Sequence, residues 1–122
     1  MAKILIIDDD SQIRFIIREL LENDGYTVEE ASDGDEAIEL NHKKAFDLII
    51  TDILMPGKEG IQTIQEFRNG SPKVKIIAIS GGGHIGPSVY LDMAKKMGAD
   101  LSIPKPFDLD IFLKKVKELL KK

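Results

Sequence analysis

At 122 residues, with 43% apolar and 31% charged residues, the chain has the size and makeup of one globular domain (1–122) whose core needs no covalent staples. It holds no cysteine, which excludes disulfides and thiolate metal sites and fits an intracellular, cytoplasmic setting; no apolar run approaches the ~20 residues of a membrane span, and Met1-Ala2-Lys3 leads into a strand rather than a signal peptide. The net charge of −4 is unevenly spread, with 6 Lys/Arg against 15 Asp/Glu in residues 1–60 and 11 against 6 in residues 61–122, and there is no basic aromatic stripe of the nucleic-acid-binding kind.

The first predicted element is a buried strand, Lys3-Ile4-Leu5-Ile6-Ile7, which runs into Asp8-Asp9-Asp10-Ser11. Asp10 or Ser11 is placed to cap the helix that follows. Capping leaves Asp8 and Asp9 unexplained. Two acids at a strand end suit a hard cation, since Mg²⁺ takes one or two carboxylates and keeps several waters. The helix spans 11–23, with Ile13, Ile16, Ile17, Leu20 and Leu21 at helical spacing, and Gly25 ends it. Phe15 falls off that stripe and reads as a singly exposed apolar residue. A more polar strand at 26–31 belongs at a sheet edge and contributes nothing chemical. Asp33-Gly34 turns the chain into a second helix at 35–44, with Ala37, Ile38 and Leu40 or Ala45 facing inward; His42 is a solvated surface residue.

The third strand, Leu48-Ile49-Ile50-Thr51-Asp52, is closed by Pro56-Gly57. It delivers Asp52 to the carboxyl edge of the sheet, where open α/β sheets bind ligands. A third helix, near 61–68, buries Ile61, Ile64 and Phe67. The fourth strand, 74–80, ends in Ser80. Gly81-Gly82-Gly83-His84-Ile85-Gly86 then matches G-x-G-x-x-G. The dinucleotide-binding reading is set aside because the string lies in the fourth β-α unit, the chain is too short for two mononucleotide-binding halves, and Asp100 begins the next strand where an acid should end it. A loop beside the site is the simpler reading. The fourth helix, 88–97, starts at Pro87 and stops at Gly98. A short fifth strand, 101–103, enters Pro104-Lys105-Pro106-Phe107, where two prolines restrict the backbone around Lys105 and a cis bond before Pro106 is plausible. Asp108 caps the last helix, 109–120, whose apolar face is Leu109, Phe112, Leu113, Val116 and Leu120, with lysines toward water.

Five buried strands alternating with five helices give an α/β fold, a doubly wound parallel sheet covered on both faces, with all strand ends at one edge. Asp8, Asp9, Asp52, Ser80 and Lys105 collect there.

This combination resembles the receiver domains of two-component response regulators, the family of the bacterial chemotaxis receiver. The matching strings are I-I-D-D-D at 6–10, T-D-I-L-M-P at 51–56 with Gly60, A-I-S-G at 78–81, G-A-D at 98–100 and P-K-P-F at 104–107, in that order along essentially the whole chain. The strand order 2-1-3-4-5, and so the flavodoxin-like receiver fold, is taken over from the resemblance. The resemblance also implies that Asp52 accepts a phosphoryl group from a phosphohistidine of a sensor histidine kinase or a phosphotransfer protein. It implies Mg²⁺ held by Asp9, Asp52 and the carbonyl of Leu54, with Asp8 reaching it through water. Lys105 would pair with Asp52 at rest and with a phosphoryl oxygen afterwards, and Ser80 would donate its hydroxyl to another, with help from the Gly81 amide. The output is a switched protein-interaction surface, in a module that assists its own phosphorylation and dephosphorylation without being an enzyme with a turnover substrate. At the strand-5 position where the family has an aromatic that moves with the hydroxyl residue, this chain has Ser102, too small for a rotating wedge. Leu54 and Gly82 occupy positions where the family tunes dephosphorylation, and neither offers a base or amide. The chain stops after the last helix, so no DNA-binding output domain is expected, whether it is a stand-alone regulator or a piece of a longer one. Two other classes stay open: a Mg²⁺-dependent aspartyl phosphatase using Asp52, and a flavodoxin-like nucleotide or flavin binder using the glycine loop.

Overall fold

The computed structural model describes residues 2–53, 60–70, 73–80, 92, 95–96, 98–105 and 107–121, and of Gly60, Ile61 and Ser80 the backbone only. In chain order the elements are β1 (Lys3–Ile7), α1 (Ser11–Asn23), β2 (Thr27–Ala31), α2 (Gly34–Lys43), β3 (Leu48–Asp52), α3 (Gly60–Gly70), β4 (Lys75–Ser80), β5 (Leu101–Pro104) and α4 (Leu109–Leu120). The helix expected over 88–97, the glycine loop from Gly81 to Gly86, and Pro106 with its peptide bond lie outside the described residues or very largely so.

The strands form one parallel sheet in the order β2-β1-β3-β4-β5. Parallel strands covered on both faces should read as continuous apolar runs. They do: Ile4 to Ile7 and Leu48 to Ile50 are all fully buried. Alternation then divides each strand between two cores. Leu5, Ile7 and Ile49 pack with Ala37 of α2 and Ile64 and Phe67 of α3 on one face. Ile4, Ile6, Leu48 and Ile50 pack with Ile17 and Leu21 of α1 and Phe112 and Val116 of α4 on the other. The polar strand, β2, stands at the edge as expected.

Helix starts follow side-chain chemistry. Asp10 caps α1 by accepting from the Gln12 and Ile13 amides at 2.9 and 3.4 Å. Asp33 does the same for Glu36 at 2.8 Å, and Asp108 for Asp110 and Ile111 at 2.8 and 3.1 Å. Gly25, at φ 97°, takes the left-handed conformation that ends α1, its amide donating to Glu22 O at 3.0 Å. Periodicity alone overstated two faces. Ile16 on α1 is 45% exposed and Leu109 on α4 is 40% exposed. Of the pair at 40 and 45, Leu40 packs against the core and Ala45 is exposed.

Candidate functional site

Sheet register explains why two acids meet. Ile7 of β1 pairs with Thr51 of β3, so the next residues, Asp8 and Asp52, leave adjacent strands side by side. Ser80 at the end of β4 pairs with Pro104 of β5, which puts Lys105 one step beyond the same edge. The Ile53 amide donates to Ile79 O at 3.0 Å, holding the chain against β4 as it leaves Asp52.

Lys105 joins the two acids. Its ammonium donates to Asp52 Oδ2 at 2.9 Å and to Asp8 Oδ2 at 3.1 Å. Asp8 is fully buried and Asp52 is 6% exposed, whereas Asp9 faces solvent. The other oxygen of Asp8 accepts from the Asp10 amide at 2.9 Å, and the Asp8 amide donates to Ala31 O at 3.2 Å. Phe107, just past the lysine, stacks on Phe112 of α4 with ring centroids 4.8 Å apart, which ties the lysine loop to the core.

Burial pushes the Asp8 carboxyl above the ordinary aspartate range. The neighbouring charge of Asp52 pushes the same way, and together these outweigh the Asp10 amide and the Lys105 ammonium. Burial alone would lower Lys105, but its hydrogen bond to Asp52 and the charges of Asp52 and Asp8 hold its pKa above that of an ordinary lysine. The edge is therefore an acid-rich pocket in which the half-buried Lys105 ammonium only partly offsets the crowding of negative charge.

Asp8, Asp9 and Asp52 each offer a carboxylate oxygen within 4.8 Å of the others. An all-oxygen donor set with two of its three members buried fits a hard divalent ion such as Mg²⁺. The raised pKa of Asp8 marks a place where added positive charge is favourable. Of the other expected site residues, Leu54 lies outside the described residues, as does the side chain of Ser80. Ser102 is half-buried on β5, opposite Ala78 of β4.

One part of the site was not expected. β2 adds no reactive group but does supply an ion-pair anchor: its Glu30 accepts from Arg14 Nε at 3.0 Å and from Arg18 Nη1 at 2.8 Å. Arg14 in turn donates from Nη1 to the backbone carbonyl of Asp8. A signal existed in the sequence. Arg14 and Arg18 stand four apart on α1, so they share one helix face, and an acid on the neighbouring strand was available to receive them. Thr51 is also buried, its hydroxyl donating to Asp52 O at 3.0 Å.

Residues 4–117 match the family model described as response regulator receiver domain. Among curated proteins, the chain is 35% identical over 99% of its length to transcriptional regulatory protein ResD of Bacillus subtilis, and 32% identical over its whole length to transcriptional regulatory protein CpxR of Escherichia coli. It spans 49% and 50% of those two proteins, about half their length. Among solved structures, it superposes on the chemotaxis response regulator CheY4 of Vibrio cholerae with a TM-score of 0.86 and 31% identity, covering 98% of each chain. A two-component response regulator from Clostridium difficile gives a TM-score of 0.91 and 28% identity, covering 100% of this chain and 98% of that one.

Proposed function

Because this chain belongs to the response regulator receiver domain family, we propose that Asp52 is its phosphoacceptor, with Asp8, Asp9, Asp52 and the carbonyl of Leu54 holding Mg²⁺, and Lys105 and Ser80 binding the transferred group. The observation that carries this reading is the convergence of Asp8, Asp9 and Asp52 within 4.8 Å, with Lys105 seated on two of them.

An Asp52 oxygen attacks the phosphorus of a phosphohistidine. The new O–P bond forms as the N–P bond breaks, and the leaving imidazole nitrogen keeps the electron pair. A carboxylate is a serviceable nucleophile for this exchange, and catalysis rests mainly on positioning and charge neutralisation. When bound, Mg²⁺ supplies charge neutralisation for the phosphoryl oxygens beside three carboxylates. Lys105 already donates to Asp52 at 2.9 Å, so a short shift of its ammonium carries that bond to a phosphoryl oxygen. The Ser80 hydroxyl at the end of β4 donates to another. The donor is a sensor histidine kinase or histidine phosphotransfer protein, and the readout is a downstream protein that distinguishes the phosphorylated surface. A phosphoryl group brings up to about two negative charges and three acceptor oxygens, enough to bias a two-state element. Receiver domains are not enzymes in the ordinary sense, and no helix among the described residues is long and apolar enough to cross a membrane.

Incubation with Mg²⁺ and acetyl phosphate, followed by intact-mass measurement, tests the reading. One phosphate is expected on the native chain, none on Asp52→Asn, and one still when Gly83 is changed. Fast catalytic turnover of the donor would favour an aspartyl phosphatase instead, and cofactor binding without phosphate uptake would favour a nucleotide binder.

A further inference from the structure

The acid pair sits on the short segment between β1 and α1, and the orientation of the Asp8–Asp9 peptide decides where the Asp9 carboxylate points. That peptide is held from three sides. The Asp8 amide donates to Ala31 O at 3.2 Å, the Asp10 amide to Asp8 Oδ1 at 2.9 Å, and the Asp8 carbonyl accepts from Arg14. The first two bonds belong to the residues on either side of the peptide's carbonyl. Among the described residues, the side chain that grips the carbonyl itself is Arg14. The Arg14 side chain, 17% exposed, is anchored in turn by Glu30 at 3.0 Å. Glu30 is braced by Arg18 at 2.8 Å, and Arg18 by Glu22 at 3.1 Å. A carboxylate with two guanidinium partners is a stiff anchor, and a guanidinium's fixed fork transmits that stiffness to the carbonyl.

We infer that Arg14 is a positioning residue for the cation site: through Glu30 on β2 it locks the Asp8–Asp9 peptide so that both carboxylates face Asp52. The inference rests on the metal-site reading above. Charge alone predicts the opposite role. A cation beside a cation site weakens binding, and Glu30 cancels that effect only while Arg14 is paired with it. Loss of Arg14 therefore separates the two accounts by sign. A pure charge effect tightens Mg²⁺ binding, whereas loss of the clamp lets the peptide rotate and weakens it. Partners that orient metal ligands from outside typically change affinity by about 10–100-fold.

The test is calorimetric titration of the full chain with Mg²⁺ alone, no phosphodonor present. Arg14→Met is expected to weaken Mg²⁺ binding about tenfold or more. Arg14→Lys keeps the charge but lacks the fork that reaches carbonyl and carboxylate together, and is expected to weaken it nearly as much. Arg68→Met is the control. Arg68 binds the carbonyls of Gly98 and Val74 near the amino ends of β4 and β5, away from the acid edge, so its loss should leave Mg²⁺ affinity unchanged. Amide hydrogen exchange at Asp9 and Asp10 should speed up in Arg14→Met and not in Arg68→Met. If Arg14→Met does not fold, Arg14→Gln carries the test, because it too removes the charge: a pure charge effect still predicts tighter binding and loss of the clamp weaker binding. Unchanged or tighter binding in Arg14→Met, full recovery in Arg14→Lys, or equal weakening in Arg68→Met would each overturn the inference alone. A native chain that takes up no Mg²⁺ would overturn the metal-site reading with it.

Discussion

Replacing Lys105 by Met removes the positive charge that bridges Asp8 and Asp52 while keeping most of the side chain's volume. The native lysine makes two charge-assisted bonds, 2.9 Å to Asp52 and 3.1 Å to Asp8, from a side chain 20% exposed. Breaking a buried ion pair costs about 3–5 kcal/mol because the surviving charge stays in a poor solvent. Lys105 is only partly buried, and Asp8 keeps its bond from the Asp10 amide, so about 2–3 kcal/mol is the reasonable figure at neutral pH without Mg²⁺. For a chain of 122 residues, an unfolding entropy of roughly 2.1 cal/mol/K per residue turns that into a Tm loss of about 8–12 °C. The sign with pH also follows. Asp8 already has a raised pKa in the folded state, and losing the lysine raises it further. A carboxyl with a raised folded pKa favours the fold below its ordinary pKa and disfavours it as pH climbs through the raised one. The variant should therefore regain stability on mild acidification. Mg²⁺ should rescue it as well, since it binds a more negative pocket with no ammonium competing. Ligand at a hundred times its Kd stabilises by about 2.7 kcal/mol, and the increment for the variant should exceed that for the native chain. Thermal unfolding by circular dichroism, in EDTA and in Mg²⁺ at several pH values, reads all three effects. An unchanged Tm in EDTA, or a Mg²⁺ increment no larger than the native one, would refute the picture of Lys105 as the pocket's resident counter-charge.

The same Lys105→Met chain should still accept phosphate from acetyl phosphate yet fail to bind its downstream partner on phosphorylation; a partner pull-down at native strength would contradict this role. In the native protein Mg²⁺ affinity should rise with pH through the raised pKa of Asp8, because the ion needs the carboxylate that the proton occupies; calorimetry in buffers of different ionisation enthalpy should show proton release that diminishes as pH rises. Burial alone would raise Glu30, but its bonds to Arg18 and Arg14 hold its pKa below the usual range, so its contribution is present above the ordinary glutamate pKa and is lost as pH falls through the depressed one. Glu30→Gln should accordingly cost about 1 kcal/mol at neutral pH, a figure kept small because Arg18 is well exposed, and the gap to native in urea unfolding should close in acid.

The strands were legible because parallel strands buried on both faces have no polar side to interrupt the apolar run. The helix starts were legible because Asp10, Asp33 and Asp108 stand where the amides of a first turn need acceptors. The strand order was not, since nothing in Leu48–Asp52 says which strand lies beside it; it came through the resemblance, as did the roles at the sheet edge. Ile16 and Leu109 fall on the inward stripe by spacing yet stand exposed, because helical spacing fixes a face but not its width. The role of Glu30 is hidden in the sequence for a different reason. A charged residue on an edge strand looks like any solvated one until its partners, Arg14 and Arg18, are brought to it by the packing of α1 against β2.

The lysine bond to Asp8 spans 97 positions of sequence. All three acids of the cluster lie within the first 52 residues, so during synthesis the ribosome releases the repelling charges long before the ammonium that quiets them. A growing chain cannot close this edge until the fifth strand has left the exit tunnel and joined the sheet.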